Sequence, residues 1–120
     1  MAEHNDFGMR GENLAQEYLR EKGYVILETN YRVSNAEVDI VAKYNKIVVF
    51  VEVKTRRLTN YGNPEIAVNR EKRMNIKRVA RGYISRNSYV GEVRFDIISI
   101  VLSMSGQAQI THFEDAFFLK

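Results

Sequence analysis

The segment Ile47-Val-Val-Phe-Val-Glu52-Val-Lys54 constrains the fold more than any other stretch of the chain. Its first five residues are all apolar, β-branched or aromatic. That is the pattern of a strand buried on both faces, and such a strand needs layers packed on each side of its sheet. The segment nevertheless ends in two ionisable residues. Side chains alternate along a strand, so Val48, Phe50, Glu52 and Lys54 share one face. Charges at the end of a dry strand are costly unless paired, neutralised or bound to metal. Something must compensate them.

The preceding segment offers a partner. Glu37 to Lys43 reads as a strand, Tyr44-Asn45-Lys46 as a turn, and Ile47 to Thr55 as the next strand, together a hairpin. A loop from Tyr44 to Ile47 places Asp39 directly opposite Glu52. A two-residue turn at Tyr44-Asn45 places it diagonal to Glu52, opposite Phe50. In either register the two carboxylates share a face, with Cβ atoms about 5 to 8 Å apart. Only a three-residue loop would put them on opposite faces. Two such carboxylates suit a hard divalent ion, Mg²⁺ (or Mn²⁺). An ion held there would polarise a phosphoryl oxygen and acidify a bound water. Lys54, one alternation beyond Glu52, is placed to orient that water and to offset charge developing on a phosphate. The plainer alternative is a buried Glu52–Lys54 ion pair with Asp39 capping the hairpin.

Around the hairpin the chain reads α-β-β-β-α-β-β. Residues 10–22 form a helix by the spacing of Leu14, Ala15, Tyr18 and Leu19, with Gly23 as its stop. Gly11 and Ala15 let this helix approach a sheet closely, and Glu12, at the edge of its apolar arc, is a candidate further ligand. Tyr24 to Leu27 is a short strand, and the polar stretch Glu28 to Asn35 a turn. After a basic loop from Arg56 to Gly62, Asn63 and Pro64 read as a helix start. The main second helix spans Arg70 to Arg86, with Ile76, Val79, Ala80, Tyr83 and Ile84 as its apolar stripe and Lys72 projecting among them. Strands follow at Arg94 to Leu102 and Gln107 to Phe113. The expected fold is α/β, a mixed sheet flanked by helices, with residues 1–120 as one domain.

Charge distribution points toward a partner. Ten of the 18 basic residues fall between Lys54 and Arg86, where only Glu65 and Glu71 are acidic. Clustered positive charge attracts polyanions, of which phosphate backbones are the commonest. Arg56, Arg57, Lys72, Arg73 and Lys77 are the candidate nucleic-acid contacts, with Tyr61 placed to stack on a base. There is no cysteine, which excludes disulfides, thiolate chemistry and iron–sulfur clusters. The polar amino end does not read as a signal peptide, and no apolar run is long enough to cross a bilayer, so a cytoplasmic address and no membrane partner are expected. His4 and His112 belong to no motif. Phe117 and Phe118 are expected to pack on the domain.

These residues also carry a resemblance. Asn35-Ala-Glu37-Val-Asp39-Ile followed by Val49-Phe-Val-Glu52-Val-Lys54-Thr-Arg56 resembles the PD-(D/E)xK signature of restriction-endonuclease-like nucleases. More narrowly, the chain resembles the YraN-like family of small bacterial proteins, an uncharacterised group related to archaeal Holliday-junction resolvases. The likeness runs through Gly11-Glu12-Asn-Leu-Ala15, Tyr18-Leu19, Gly23-Tyr24, Asn30-Tyr31-Arg32, Lys72 with Ala80 and Tyr83, and Arg94-Phe95-Asp96. It departs at Ala36, where the family usually has glycine. The resemblance implies a divalent metal at Asp39 and Glu52, Lys54 as the third catalytic member, and Glu12 joining the site. The activity it implies is metal-dependent hydrolysis of DNA phosphodiesters, with branched or structured DNA as candidate substrate. Cutting two strands symmetrically needs two sites, hence a homodimer. The alternatives are a nucleic-acid-binding module of the same fold without significant catalysis, and a structural partner in a larger assembly.

Overall fold

A computed structural model describes residues 6–58 and 69–117. The described elements are α1 (Asp6–Glu21), β1 (Val25–Val33), β2 (Ala36–Tyr44), β3 (Ile47–Arg57), α2 (Arg70–Asn87), β4 (Glu92–Leu102) and β5 (Ala108–Phe117). The five strands form one sheet in sequence order. β3 and β4 run parallel, joined through α2, and every other neighbouring pair is antiparallel. The mixed α/β architecture and the order α-β-β-β-α-β-β are those expected from sequence.

The helices cover opposite faces. Ala15 and Leu19 of α1 pack with Ile40, Ala42, Val49, Val51, Ile98 and Ile100. Ile76, Val79, Ala80 and Tyr83 of α2 pack with Val41, Val48, Phe50, Phe95 and Ile97. β3 therefore sends alternate side chains into two separate cores, which is why it is apolar at every position from 47 to 51. Gly11 brings α1 onto β3: a Cβ there would lie 1.8 Å from Thr55 Oγ1. α2 begins where Asn69 Oδ1 accepts the Lys72 N–H at 2.8 Å, an ordinary N-cap. The helix start read at Asn63 and Pro64, and the loop with Tyr61, lie outside the described residues, as does Phe118. Phe117 is buried and its ring stacks on Phe95, centroids 5.1 Å apart.

Two boundaries differ most from the sequence reading, beside smaller shifts that start α1 at Asp6 and β4 at Glu92 and end β3 at Arg57. β1 continues through the polar stretch taken for a turn, pairing Tyr31 with Val38, Arg32 with Glu37 and Val33 with Ala36. As an edge strand it is half solvated, so polar residues such as Glu28, Thr29 and Asn30 are tolerated where apolar patterning would otherwise mark a strand. The turn is only Ser34-Asn35, with Ser34 at φ +55°. β5 likewise runs on to Phe117, past an irregular register against β4.

Candidate functional site

The hairpin settles the register question. Tyr44 pairs with Ile47 and Ile40 with Val51, so the next position sets Asp39 opposite Glu52. Main-chain pairing of β2 with β3 ends at Ile40 and Val51. β2 stays paired to β1 as far as Ala36, and β3 stays paired to β4 as far as Arg57. The sheet forks here, and the acidic pair sits in the fork. Asp39 Oδ2 accepts the Val53 N–H at 2.7 Å, just past the end of the ladder.

The backbone turns at the same place. Val38 lies in the α2-side core and Ile40 in the α1-side core, although residues two apart normally share a face. The β1 position facing Asp39 is Asn30, which adopts φ +49° and is passed over by the pairing of its neighbours. Asparagine tolerates that left-handed conformation better than other β-strand residues. This kink carries Asp39 toward the α2 side, where Glu52 lies.

The electrostatics there are unusual. Glu52 is among the few buried charged residues. Burial, reinforced by the negative charge of Asp39, pushes its carboxyl up to about 8, against the pull of Lys72. Burial raises Asp39 as well, opposed by the Val53 N–H and by the charge of Lys72. Lys72, reaching in from the first turn of α2, places Nζ 3.3 Å from Glu52 Oε2. Glu52 Oε1 is buried and has no hydrogen-bond partner among the described residues. A carboxyl oxygen without a donor, beside a second carboxyl that its own group meets in a side-chain hydrogen bond, is compensated either by a shared proton or by a cation. This donor set, all hard oxygen, fits a divalent Mg²⁺ or Mn²⁺.

The remaining predicted residues divide. Lys54 and Arg56 continue the Glu52 face along β3, both half-buried. Arg57 falls on the other face, its guanidinium 4.6 Å from the Phe7 ring of α1. Arg73 and Lys77, one turn apart, share a flank of α2. An open cleft of about 690 Å³ lies on the other side of that helix, where Asn35 of the β1–β2 turn faces Arg70, Glu71, Met74, Asn75 and Arg78. Glu37 is engaged by Arg32 at 3.1 Å. Glu12 is the remaining candidate. It belongs to α1, which covers the face opposite Glu52, and no group of three or more acidic or histidine side chains that would hold an ion occurs among the described residues. The helix periodicity put Glu12 at a seam but could not say on which side of the sheet that seam lies.

Sequence reasoning missed one polar cluster. Asp96, fully buried on β4, receives both Nε and Nη2 of Arg94 at 2.9 and 2.8 Å. Nε2 of His112 lies 2.7 Å from the same carboxylate and the Asp115 N–H 3.0 Å away. Tyr18 of α1 meets His112 Nδ1 at 3.1 Å. Burial alone would raise Asp96, yet these hydrogen bonds hold it below the usual carboxylate range. His112 is therefore part of a network joining α1, β4 and β5. The signal available in sequence was Arg94-Phe-Asp96, a charged pair on one face of an otherwise apolar strand.

Comparison with known proteins places this geometry in a family. The model of the uncharacterised protein family UPF0102 matches residues 11–100. The chain belongs to UPF0102. It is 46% identical to a UPF0102 protein of Christiangramia forsetii and 44% identical to one of Flavobacterium psychrophilum, each alignment covering 98% of both chains. A UPF0102 protein of Dictyoglomus thermophilum is 44% identical over 85% of this chain and 87% of its own length. These UPF0102 relatives match the chain nearly end to end. The family match spans Asp39, Glu52, Lys54, α2 and the Arg94–Asp96 pair. No described helix is long and apolar enough to cross a membrane.

Proposed function

We propose that this UPF0102 protein is a metal-dependent endonuclease that hydrolyses DNA phosphodiesters at the β2–β3 fork, on a nuclease fold of the PD-(D/E)xK type. The observation that carries the reading is the buried Asp39–Glu52 pair with an orphaned Glu52 oxygen, at the foot of a basic helix. Asp39 and Glu52 would hold Mg²⁺ or Mn²⁺, which when bound supplies Lewis-acid polarisation of the phosphate and an acidified water. Asp39 is pre-set for this by the Val53 N–H, which fixes one oxygen and leaves the other to the site. Lys54 orients the attacking water and balances charge gathering on the phosphate. Arg73 and Lys77 hold the flanking backbone. Structured or branched DNA is the substrate class favoured by the resemblance to junction resolvases, and two copies would be needed for symmetric cuts.

One observation favours a second reading. The site gathers two carboxylates and not three among the described residues, which suits a nucleic-acid-binding module with little catalysis. Purified protein, Asp39→Ala and Lys54→Ala are incubated with linear, flapped and four-way DNA in Mg²⁺, Mn²⁺ or chelator. Metal-dependent cleavage lost in both variants supports the enzyme. Salt-sensitive binding that never yields product supports the module.

A further inference from the structure

Lys72 forms an ion pair with the acidic pair through Glu52, and its surroundings are lopsided. Its backbone is fixed, because its own N–H caps onto Asn69 at 2.8 Å. Its side chain is 42% exposed, whereas that of Glu52 is 11% exposed. Asp39 is pinned by the Val53 N–H at 2.7 Å. The lysine alone is free to leave. It is also a poor permanent partner, since it touches Glu52 through Oε2 and supplies no donor to Oε1, whose nearest acidic company is Asp39. A buried carboxylate built for lasting pairing is met by a bidentate arginine, and the same chain does this at Arg94–Asp96. The chemistry differs between the two sites: one is closed, the other held by a hydrated point charge on a flexible stem.

We propose that Lys72 is a stand-in cation for the Asp39–Glu52 pair, released to a nucleic-acid phosphate once those carboxylates hold a divalent ion. The inference rests on the metal reading given above. Lys72 lies in the first turn of the basic helix that also carries Arg73 and Lys77, so its released ammonium adds to the positive charge proposed above to meet phosphate. Metal occupancy thereby turns on a DNA contact. The two ligands become positively coupled without any backbone movement, through a single side chain that serves one anion or the other.

The test compares DNA affinity with and without Mg²⁺ in a Lys54→Ala background, where the DNA stays uncut, against the same protein carrying Lys72→Gln. Lysine NMR on ¹³C-methylated protein, with Lys72→Arg to assign the signal, reports the side chain directly. The expected result is a loss of about fivefold in affinity on removing Lys72 when Mg²⁺ is present and little loss in chelator, the size of one exposed charge contact. The Lys72 signal should shift on adding Mg²⁺ and stay still in Glu52→Gln. Equal losses with and without Mg²⁺, or a still Lys72 signal while backbone amides at Asp39 and Val53 respond to the metal, would overturn this inference and leave the metal reading standing. Amides that never respond to Mg²⁺ or Mn²⁺ would remove both.

Discussion

Replacing Glu52 by glutamine should stabilise the metal-free protein, and the gain should depend on pH. The Glu52 carboxyl titrates near 8 in the fold and near 4.5 when exposed. The folded protein thus holds a proton that the unfolded chain gives up between those values, so stability falls as pH rises from about 4.5 to 8 and levels off above. Each tenfold of proton affinity is worth about 1.4 kcal/mol. Near pH 7 the carboxyl then costs the fold up to about 3 kcal/mol relative to a neutral side chain of the same shape, and under about 1 kcal/mol near pH 5. Relaxation of the half-exposed Lys72 brings the realised gain to about 1–3 kcal/mol, or roughly 4–10 °C in Tm for a domain of this size. The assay is urea unfolding followed by circular dichroism in chelator at pH 5 and 7.5. Saturating Mn²⁺ should reverse the order, because binding at about a hundred times Kd adds about 2.7 kcal/mol to wild type and far less to the variant. A Glu52→Gln protein less stable than wild type at pH 7.5, or a difference that ignores pH, would refute the reasoning.

Other positions give independent checks. Asn30→Val forces a β-branched side chain into φ +49° and should cost about 1–3 kcal/mol in denaturant unfolding, with loss of metal response as Asp39 shifts. Gly11→Ala drives a methyl group into Thr55 and should lower stability by about 1–3 kcal/mol, partly regained in the Gly11→Ala, Thr55→Gly double variant. Asp96→Ala strands Arg94 and His112 and should cost about 3–5 kcal/mol at pH 7 by chemical unfolding; because the Asp96 carboxyl is held low, that contribution should vanish in acid, as pH falls through its folded value. Replacing both Arg73 and Lys77 by alanine should flatten the salt dependence of DNA binding by about two counterions in a log–log plot, with unfolding stability unchanged.

The order of residues was enough to specify the scaffold. The doubly buried run from Ile47 to Val51 required layers on both sides of a sheet, and the stripes of α1 and α2 supplied them. The pairing of Asp39 with Glu52 was legible too, because a period-two strand and a short turn leave few registers. What tertiary structure alone decided is which groups share a face and which share a proton. Glu12 lay at a helix seam by periodicity, but the face that seam occupies depends on how α1 docks. The length of β1 was hidden because an edge strand has no second core to demand apolar residues. The Asp96–His112 bond joins residues 16 apart in sequence, and its Tyr18 member lies 94 residues from His112, beyond the reach of any local pattern. The fork at Ile40 and Val51 exists because two strands, each held by its outer neighbour, diverge. Burial and charge act through space, so the raised affinity of Glu52 for a proton exists only in the folded chain.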